Sequence, residues 1–98
     1  MNFDFHPEAE EEFHQSINYY ENCEEGLGYQ FAIEVYSAIQ LIIKFPQAWQ
    51  IMDKEVRRCQ THRFPYGILY SIEPDRVFIL AIMYLHRKPG YWKNRLKY

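Results

Sequence analysis

Residues 77–85 read VFILAIMYL, a run in which every side chain is apolar or aromatic. Strands that are apolar on both faces are typical of the centre of a sheet, where both faces are covered. We therefore expect residues 77–85 to form a central strand. Its neighbours along the chain then decide the fold.

Two further strands are predicted upstream, over residues 56–61 and 66–72, where the apolar period is two. The turn residues Glu73-Pro74-Asp75 join the second of these to the central strand. The three strands therefore form an antiparallel meander. Residues 47–54, before the meander, are predicted to be an irregular connection.

The first half of the chain has the period of helices. One apolar stripe predicts a helix from about residue 7 to 22, where Pro7 suits the first turn. A second stripe predicts a helix that begins at Leu27 and ends before Pro46. Because the break at 24–28 is short, the two helices form an antiparallel hairpin. The two stripes consist of Ala9, Phe13, Ile17 and Tyr20, and of Leu27, Phe31, Val35, Ala38, Ile39, Ile42 and Ile43.

Residues 2–6 alternate between polar and apolar side chains, which predicts a short N-terminal strand. The order β-α-α-β-β-β indicates an α+β fold in which the helical hairpin covers one face of a mostly antiparallel sheet. We expect the other face to be partly open, because little chain is left to cover it. The 98 residues fit one domain, 1–98, with no room for a large cofactor-binding fold.

The composition is that of a globular protein, with 48% hydrophobic, 24% charged and 18% aromatic residues. Cys23 and Cys59 make neither a disulfide framework nor a zinc motif, so we expect free thiols that fill small apolar spaces. No cofactor or metal is expected. Neither a signal peptide nor a membrane span is predicted, which favours the reducing cytoplasm.

The charge is divided unevenly along the chain. Residues 1–49 carry nine acidic residues and one basic residue, whereas residues 50–98 carry four acidic and ten basic residues. This division has two interpretations. The second half faces an anionic partner, either nucleic acid or an acidic protein, or the two halves pair with each other inside the fold.

Short motifs along nearly the whole chain resemble those of the RelE/ParE family of bacterial type II toxins. The pieces RFPY (63–66) and HRKPGYW (86–92) are more similar to the ParE branch than to the RelE branch. In the first half the resemblance rests on Ala9, Glu12, Tyr19-Tyr20-Glu21, Gly26-Leu27-Gly28, Phe31 and Pro46. In the second half it rests on Val56-Arg57-Arg58, Arg63-Phe64-Pro65-Tyr66, Ile68, Tyr70, Ile79-Leu80-Ala81, His86-Arg87-Lys88-Pro89, Tyr91, Trp92 and Arg95.

The resemblance implies the same β-α-α-β-β-β fold and a role in growth arrest and plasmid stabilisation. Members of the RelE branch cut messenger RNA in the ribosomal decoding site without a metal. Members of the ParE branch poison DNA gyrase and are not known as nucleases. Each toxin is neutralised by a co-expressed antitoxin whose tail folds over it.

If the chain is a nuclease, the resemblance implies catalytic roles for Arg58, Arg87 and Tyr91, and His86 joins this catalytic group because of its own chemistry beside Arg87. Metal-free RNA cleavage needs a proton acceptor, cations on the phosphate and a proton donor. Histidine as a residue type has an intrinsic pKa near neutrality, as acid–base catalysis needs, so His86 either has that role or only ends a strand with a backbone hydrogen bond. The RelE branch carries an arginine where this chain has Gly67, which cannot bind a phosphate through a side chain.

Binding residues are expected around the same strands: Arg57, Arg63, Phe64, Tyr66, Lys88, Trp92 and Arg95. Arg57 and Arg58 are neighbours on a strand and point to opposite faces, so we expect one to reach a partner and the other to pair with an acidic residue of the hairpin. Phe64 and Tyr66 form either an aromatic groove for an antitoxin or only a turn into the sheet. Trp92 either covers the core or stacks on a partner.

The sequence thus favours a ParE-like toxin that binds a protein target, with DNA gyrase as the expected one. A cognate antitoxin is the expected partner, in a complex that includes a heterotetramer among its possible forms. The alternative is a ribosome-dependent, metal-free mRNA endoribonuclease. A third reading is a degenerate, non-toxic member that still binds an antitoxin. The net charge of −2 favours a protein target over RNA.

Overall fold

The computed structural model of the chain describes residues 2–97, the last of them by its backbone alone. Met1 and Tyr98, the ends of the predicted domain, lie outside the described residues. The strands are β1 (Asn2–Phe5), β2 (Ile51–Asp53), β3 (Val56–Gln60), β4 (Tyr66–Ile72) and β5 (Arg76–Tyr84). The helices are α1 (Pro7–Cys23), α2 (Leu27–Lys44) and a short 3-10 helix (Lys93–Lys97).

Helix α1 begins at the predicted place. Pro7 occupies its first turn, and the ring nitrogen Nδ1 of His6 accepts a hydrogen bond from the Glu8 amide at 3.1 Å. Glu8 and Glu10 lie in the first turn, where carboxylates interact favourably with the helix dipole. The predicted positions of both helices are confirmed to within one residue at each end.

The turn between the helices depends on Gly26 and Gly28. Gly26 has a φ of +85°, which few side chains tolerate. Gly28 lies so close to α1 that an added Cβ would be 2.5 Å from the Ile17 carbonyl oxygen. The Glu21 carboxylate accepts hydrogen bonds from both glycine amides, at 2.9 and 3.1 Å. The two helices therefore lie close together where the short connection joins them.

The five strands form one mixed sheet in the order β1-β5-β4-β3-β2. Strands β3, β4 and β5 pair antiparallel, as predicted for the meander. β1 pairs with β5 in parallel, because the helical hairpin carries the chain back to the same end of the sheet. The sheet is thus not antiparallel throughout. The central strand β5 is buried over residues 77–83, as its sequence predicts.

The predicted irregular connection at 47–54 is wrong in part, because residues 51–53 form the edge strand β2. Three residues, of which Ile51 and Met52 are exposed, give too short a pattern to identify a strand. Two side chains of the sheet hold the loop before β2 in place through hydrogen bonds. Arg57 Nη1 donates to the Trp49 carbonyl at 2.6 Å, and the Tyr70 hydroxyl donates to the Pro46 carbonyl at 2.7 Å.

Two apolar clusters lie on opposite faces of the sheet. The larger one packs both helices on alternate residues of β3, β4 and β5. The smaller one includes Leu69, Phe78, Leu80 and Met83 on the other face. A register shift opposite Leu69 and Tyr70 leaves Leu80 without a cross-strand partner. This bulge lets β5 place Leu80 and Ala81 on the same side.

The face opposite the helices is only partly open, as predicted. Residues after β5 turn back over it, and Trp92 is buried against the smaller cluster with Leu96 beside it. Within residues 2–97, no helix has the length and apolar character needed to cross a membrane.

Candidate functional site

A cleft lies on the face opposite the helices, between the sheet and the C-terminal segment, which we define as residues 86–97. Its volume is about 470 Å³. The residues that line it come from β2, β3, β4, β5, the position after β5 and the C-terminal segment: Met52, Asp53, Arg58, Leu69, Met83, Leu85, Arg87, Pro89, Gly90, Trp92 and Lys93. Two of the predicted catalytic residues, Arg58 and Arg87, therefore meet in one cleft.

Arg58 reaches the cleft across strand β4. It pairs with Leu69 in the register of β3 and β4, and Gly67 is the next residue of β4 on the same face. A Cβ built on Gly67 would lie 3.0 Å from Arg58 Cδ and 3.1 Å from Arg58 Cγ. The arginine stem therefore occupies the space that the glycine leaves empty.

The three cations of the cleft differ in their partners. Lys93 Nζ lies 3.1 Å from a carboxylate oxygen of Asp53. Arg87 lies 3.4 Å from Glu12 and has its guanidinium 3.8 Å from the centre of the Tyr91 ring. The side chain of Arg58 has no hydrogen-bond or ion-pair partner among residues 2–97.

Glu12 of α1 gathers the donors of the C-terminal segment at the edge of the cleft. Its carboxylate accepts hydrogen bonds from the Tyr91 hydroxyl at 2.7 Å and from the Ile82 amide at 3.1 Å. Two Arg95 nitrogens donate to it at 3.0 and 2.9 Å. Arg95 also donates to the Leu80 carbonyl at 2.8 Å. This arrangement fixes the C-terminal segment to α1 and β5.

These contacts change the chemistry of Tyr91 and Arg95. Burial, together with the hydrogen bond to Glu12, raises the pKa of Tyr91 well above its ordinary value. Burial lowers the pKa of Arg95, but the hydrogen bond and charge of Glu12 outweigh it, so the net shift is upward. The Tyr91 proton is thus held between buried groups, which disfavours its transfer to a substrate.

The predicted catalytic group is therefore only partly assembled. His86 is exposed, and its ring lies 5.1 Å from that of Tyr84 between ring centres, outside the lining of the cleft. Within the described chain, the one carboxylate that lines the cleft is Asp53, and it is paired with Lys93. Among the described residues, the cleft thus offers cations and apolar surface, and its carboxylate is already paired.

The predicted binding residues divide into exposed and buried ones. Lys88 is exposed. Arg63 is exposed too, and its guanidinium donates to the Gln30 side chain. Arg95 is buried, and so is Trp92, which has the core position rather than that of a stacking platform.

The two other aromatic residues predicted to bind are also internal. Phe64 and Tyr66 pack edge-on against Phe31 and Tyr20 at centroid distances of 4.8 to 6.1 Å. Burial of both rings favours the turn into the sheet over an aromatic groove.

Two further expectations need correction. Arg57 and Arg58 do point to opposite faces, but Arg57 donates to the Gln47 and Trp49 carbonyls and not to an acidic residue of the hairpin. Cys59 fills apolar space, where burial raises its pKa to about 11. Cys23 is exposed and does not.

Three residues of the site were not found by sequence reasoning. Lys93 and Asp53 form an ion pair across the cleft. Asp53 was missed because its strand, β2, was not predicted. Glu12 entered only as part of the family motifs, because its partners lie 70 to 83 residues away in the chain. Glu12 directly precedes the buried Phe13, but it also belongs to the acidic run of residues 10–12 at the start of α1, so its position alone does not mark it as internal.

No protein-family model matches the chain, and no curated protein matches it in sequence. Among solved structures, the chain is similar to a chain described as "Chromosomal ParDE TA system from P. aeruginosa", with a TM-score of 0.65 and 13% sequence identity. The match covers 88% of this chain and 97% of that chain. At this identity the likeness concerns the fold, and it agrees with the fold expected from the sequence motifs. The chain therefore has an α+β fold of the ParE/RelE toxin type.

Proposed function

We propose that the chain is the toxin of a type II toxin–antitoxin pair and arrests growth by binding a protein target, with DNA gyrase as the expected target. The observation that carries the proposal is the fold shared over 97% of a chain from a ParDE toxin–antitoxin system. The family motifs quoted above support the same assignment. A role in plasmid stabilisation follows from it.

The lining of the cleft supports binding over catalysis. Tyr91 and Arg95 are held by Glu12, and His86 lies outside the cleft. Arg58, Arg87 and the apolar side chains around them form a surface that a protein can contact without any covalent step. The net charge of −2 also favours a protein target over a polyanion.

A cognate antitoxin completes the proposal. We expect it to be a small acidic protein encoded beside this chain, to fold on binding, and to form a heteromeric complex such as a heterotetramer. Co-expression of the two should restore growth, and affinity purification of one should recover the other. Growth arrest that the neighbouring protein does not relieve, with no complex formed, would count against the pairing.

A ribosome-dependent endoribonuclease is the second candidate, because the cleft brings Arg58 and Arg87 together. Arg87→Ala separates the two candidates. The Arg87 side chain is 52% exposed and its ion pair with Glu12 is long, at 3.4 Å, so the fold should survive its loss. We expect no cleavage of ribosome-bound message by the parent chain or by the variant. Cleavage by the parent that disappears in Arg87→Ala would establish the nuclease instead.

A further inference from the structure

Arg58 differs from the other arginines of the chain in its lack of a partner. Among residues 2–97, Arg57, Arg63, Arg76, Arg87 and Arg95 each donate at least one side-chain hydrogen bond, whereas Arg58 donates none. Arg58 is also only partly exposed. No buried side-chain nitrogen among the described residues lacks a partner, so the Arg58 guanidinium is in contact with solvent and is available to pair with a bound anion.

The position of Arg58 depends on Gly67. A Cβ at position 67 would lie 3.0 Å from Arg58 Cδ and 3.3 Å from Leu85 Cδ2, so any larger residue there would force the arginine stem to shift. Glycine at position 67 therefore leaves space for the Arg58 side chain to extend from β3 into the cleft. Gly67 thus has two effects. It supplies no cationic side chain on β4, and it leaves space for the Arg58 side chain of β3.

The cleft that Arg58 lines has both apolar and charged walls. Leu69, Met83, Leu85 and Trp92 line the cleft together with Arg58 and Arg87. The planar guanidinium binds a carboxylate through two parallel hydrogen bonds, and the apolar walls suit the methylenes of that side chain and its apolar neighbours. Asp53 at the rim disfavours a chain of closely spaced phosphates.

We infer that this cleft binds an acidic side chain of a partner protein, with Arg58 as its main ligand and Gly67 as the residue that positions Arg58. The inference deepens the proposed function, on which it rests only for the choice of a protein as the partner. The bound group is a carboxylate flanked by apolar side chains. A nucleic-acid phosphate is the competing ligand for the same cations.

Titration followed by NMR tests the inference on the full chain, through the side-chain Nε–Hε signal of Arg58. The probes are the capped peptide acetyl-Ser-Leu-Glu-Phe-Ser-amide, the same peptide with Gln in place of Glu, inorganic phosphate, and a uridine hexanucleotide. We expect the Glu peptide to shift the Arg58 signal and to bind about tenfold or more tightly than the Gln peptide, since a charge-assisted pair is lost. It should also bind more tightly than either phosphate probe.

Three variants complete the experiment. Arg58→Gln should lose the preference for the Glu peptide, and its fold should persist because no polar contact is removed. Gly67→Ala should weaken binding several-fold by displacing the arginine stem. Arg76→Gln is the control with the same change in charge, since Arg76 pairs with Asp4 and Glu73 away from the cleft, and it should bind as the parent does.

The inference is overturned by equal binding of the Glu and Gln peptides, by tighter binding of phosphate or RNA, or by full binding in Arg58→Gln. The titration requires no toxicity, so its outcome is separate from that of the proposed function. Growth arrest without peptide binding contradicts the carboxylate site alone. Peptide binding without growth arrest contradicts the toxin assignment alone.

Discussion

Glu12 holds three residues that the sequence had suggested as functional. Tyr91, Arg95 and Arg87 all donate hydrogen bonds to its carboxylate. Only 12% of the Glu12 side chain is exposed. A buried carboxylate and guanidinium pair is strongly destabilised when only one partner is removed. Glu12 therefore has a structural role. The residues available to bind a partner are those that do not hydrogen-bond to Glu12.

Replacement of this carboxylate by an amide tests its structural role. We expect Glu12→Gln to lower the free energy of unfolding by about 3 kcal/mol, since Arg95 would remain buried with only its longer ion pair, 3.7 Å to the exposed Glu8. Denaturation by urea at neutral pH measures the change. Glu11→Gln is the matched control on the exposed side of α1 and should change the stability by less than about 0.5 kcal/mol. Similar losses in the two variants would contradict the role of Glu12.

Tyr70 predicts how stability depends on alkaline pH. Burial is the main cause that raises the pKa of its hydroxyl to about 12 in the folded chain, against an ordinary value near 10. Between these pH values the folded state keeps a proton that the unfolded state loses. The free energy of unfolding should therefore fall as the pH rises from about 10 to 12, by up to about 1.4 kcal/mol per pH unit for this residue.

Tyr70→Phe should make that fall shallower. At pH 7 it should cost about 1 kcal/mol through loss of the hydrogen bond to the Pro46 carbonyl. Thermal unfolding at several pH values measures both effects. Tyr29→Phe, at a ring that is 69% exposed, controls for removal of a hydroxyl and should leave the stability at pH 7 nearly unchanged. An unchanged pH profile in Tyr70→Phe would count against the burial argument.

At the scale of elements, helix α1 depends on an unusual cap. His6 is buried, and its Nδ1 accepts from the Glu8 amide, a task more often done by Ser, Thr, Asp or Asn. We expect His6→Ala to cost about 1 to 2 kcal/mol and His6→Asn to cost less, because asparagine keeps an acceptor for the amide. Urea denaturation compares the two. Equal losses would mean that packing of the ring, and not the cap, is what the alanine removes.

The C-terminal segment covers the smaller apolar cluster through Trp92, which is 4% exposed. We expect Trp92→Ala to cost about 3 to 5 kcal/mol, as a large buried aromatic residue does when truncated. Its loss should also expose Leu80 and Met83, so binding of a hydrophobic dye should increase. Dye binding and stability that both match the parent chain would contradict the packing described for this segment.

The elements could be predicted from sequence where a period runs long enough. Both helices and β5 meet this condition, since their apolar stripes continue over four turns or nine residues. Strand β2 could not be predicted, because its three residues are set by pairing with β3 and not by a pattern of their own. The bulge at Leu80 was hidden for a related reason, since an all-apolar run has no alternation to interrupt.

The candidate site could be predicted less well, and the reason is sequence distance. Arg58 and Arg87 were expected to act together, and they share the cleft. Tyr91 and Arg95 were assigned to function from their place in the motifs that resemble the toxin family. Their partner Glu12 lies 79 and 83 residues away, so no local pattern marks them as internal.

At the scale of the whole molecule, the uneven division of charge is partly internal. Asp4 pairs with Arg76, Glu12 with Arg87 and Arg95, and Glu34 accepts from the backbone amides of residues 62 and 63. Glu8 also pairs with Arg95, so three of the nine acidic residues of the first half pair with basic side chains of the second half among residues 2–97. The positive charge that stays unpaired on the described surface is local. The cleft with Arg58 is its main basic feature.

For the whole molecule, the proposed function predicts that the chain, when produced alone, arrests growth by binding a protein target of DNA metabolism. Pulse labelling after induction of the chain alone in a bacterium tests it most directly, with DNA and protein synthesis followed over the first minutes. We expect DNA synthesis to fall first and protein synthesis to follow later. A first fall in protein synthesis would contradict the claim in favour of the ribosome, and normal synthesis of both while the folded chain accumulates would contradict toxicity itself.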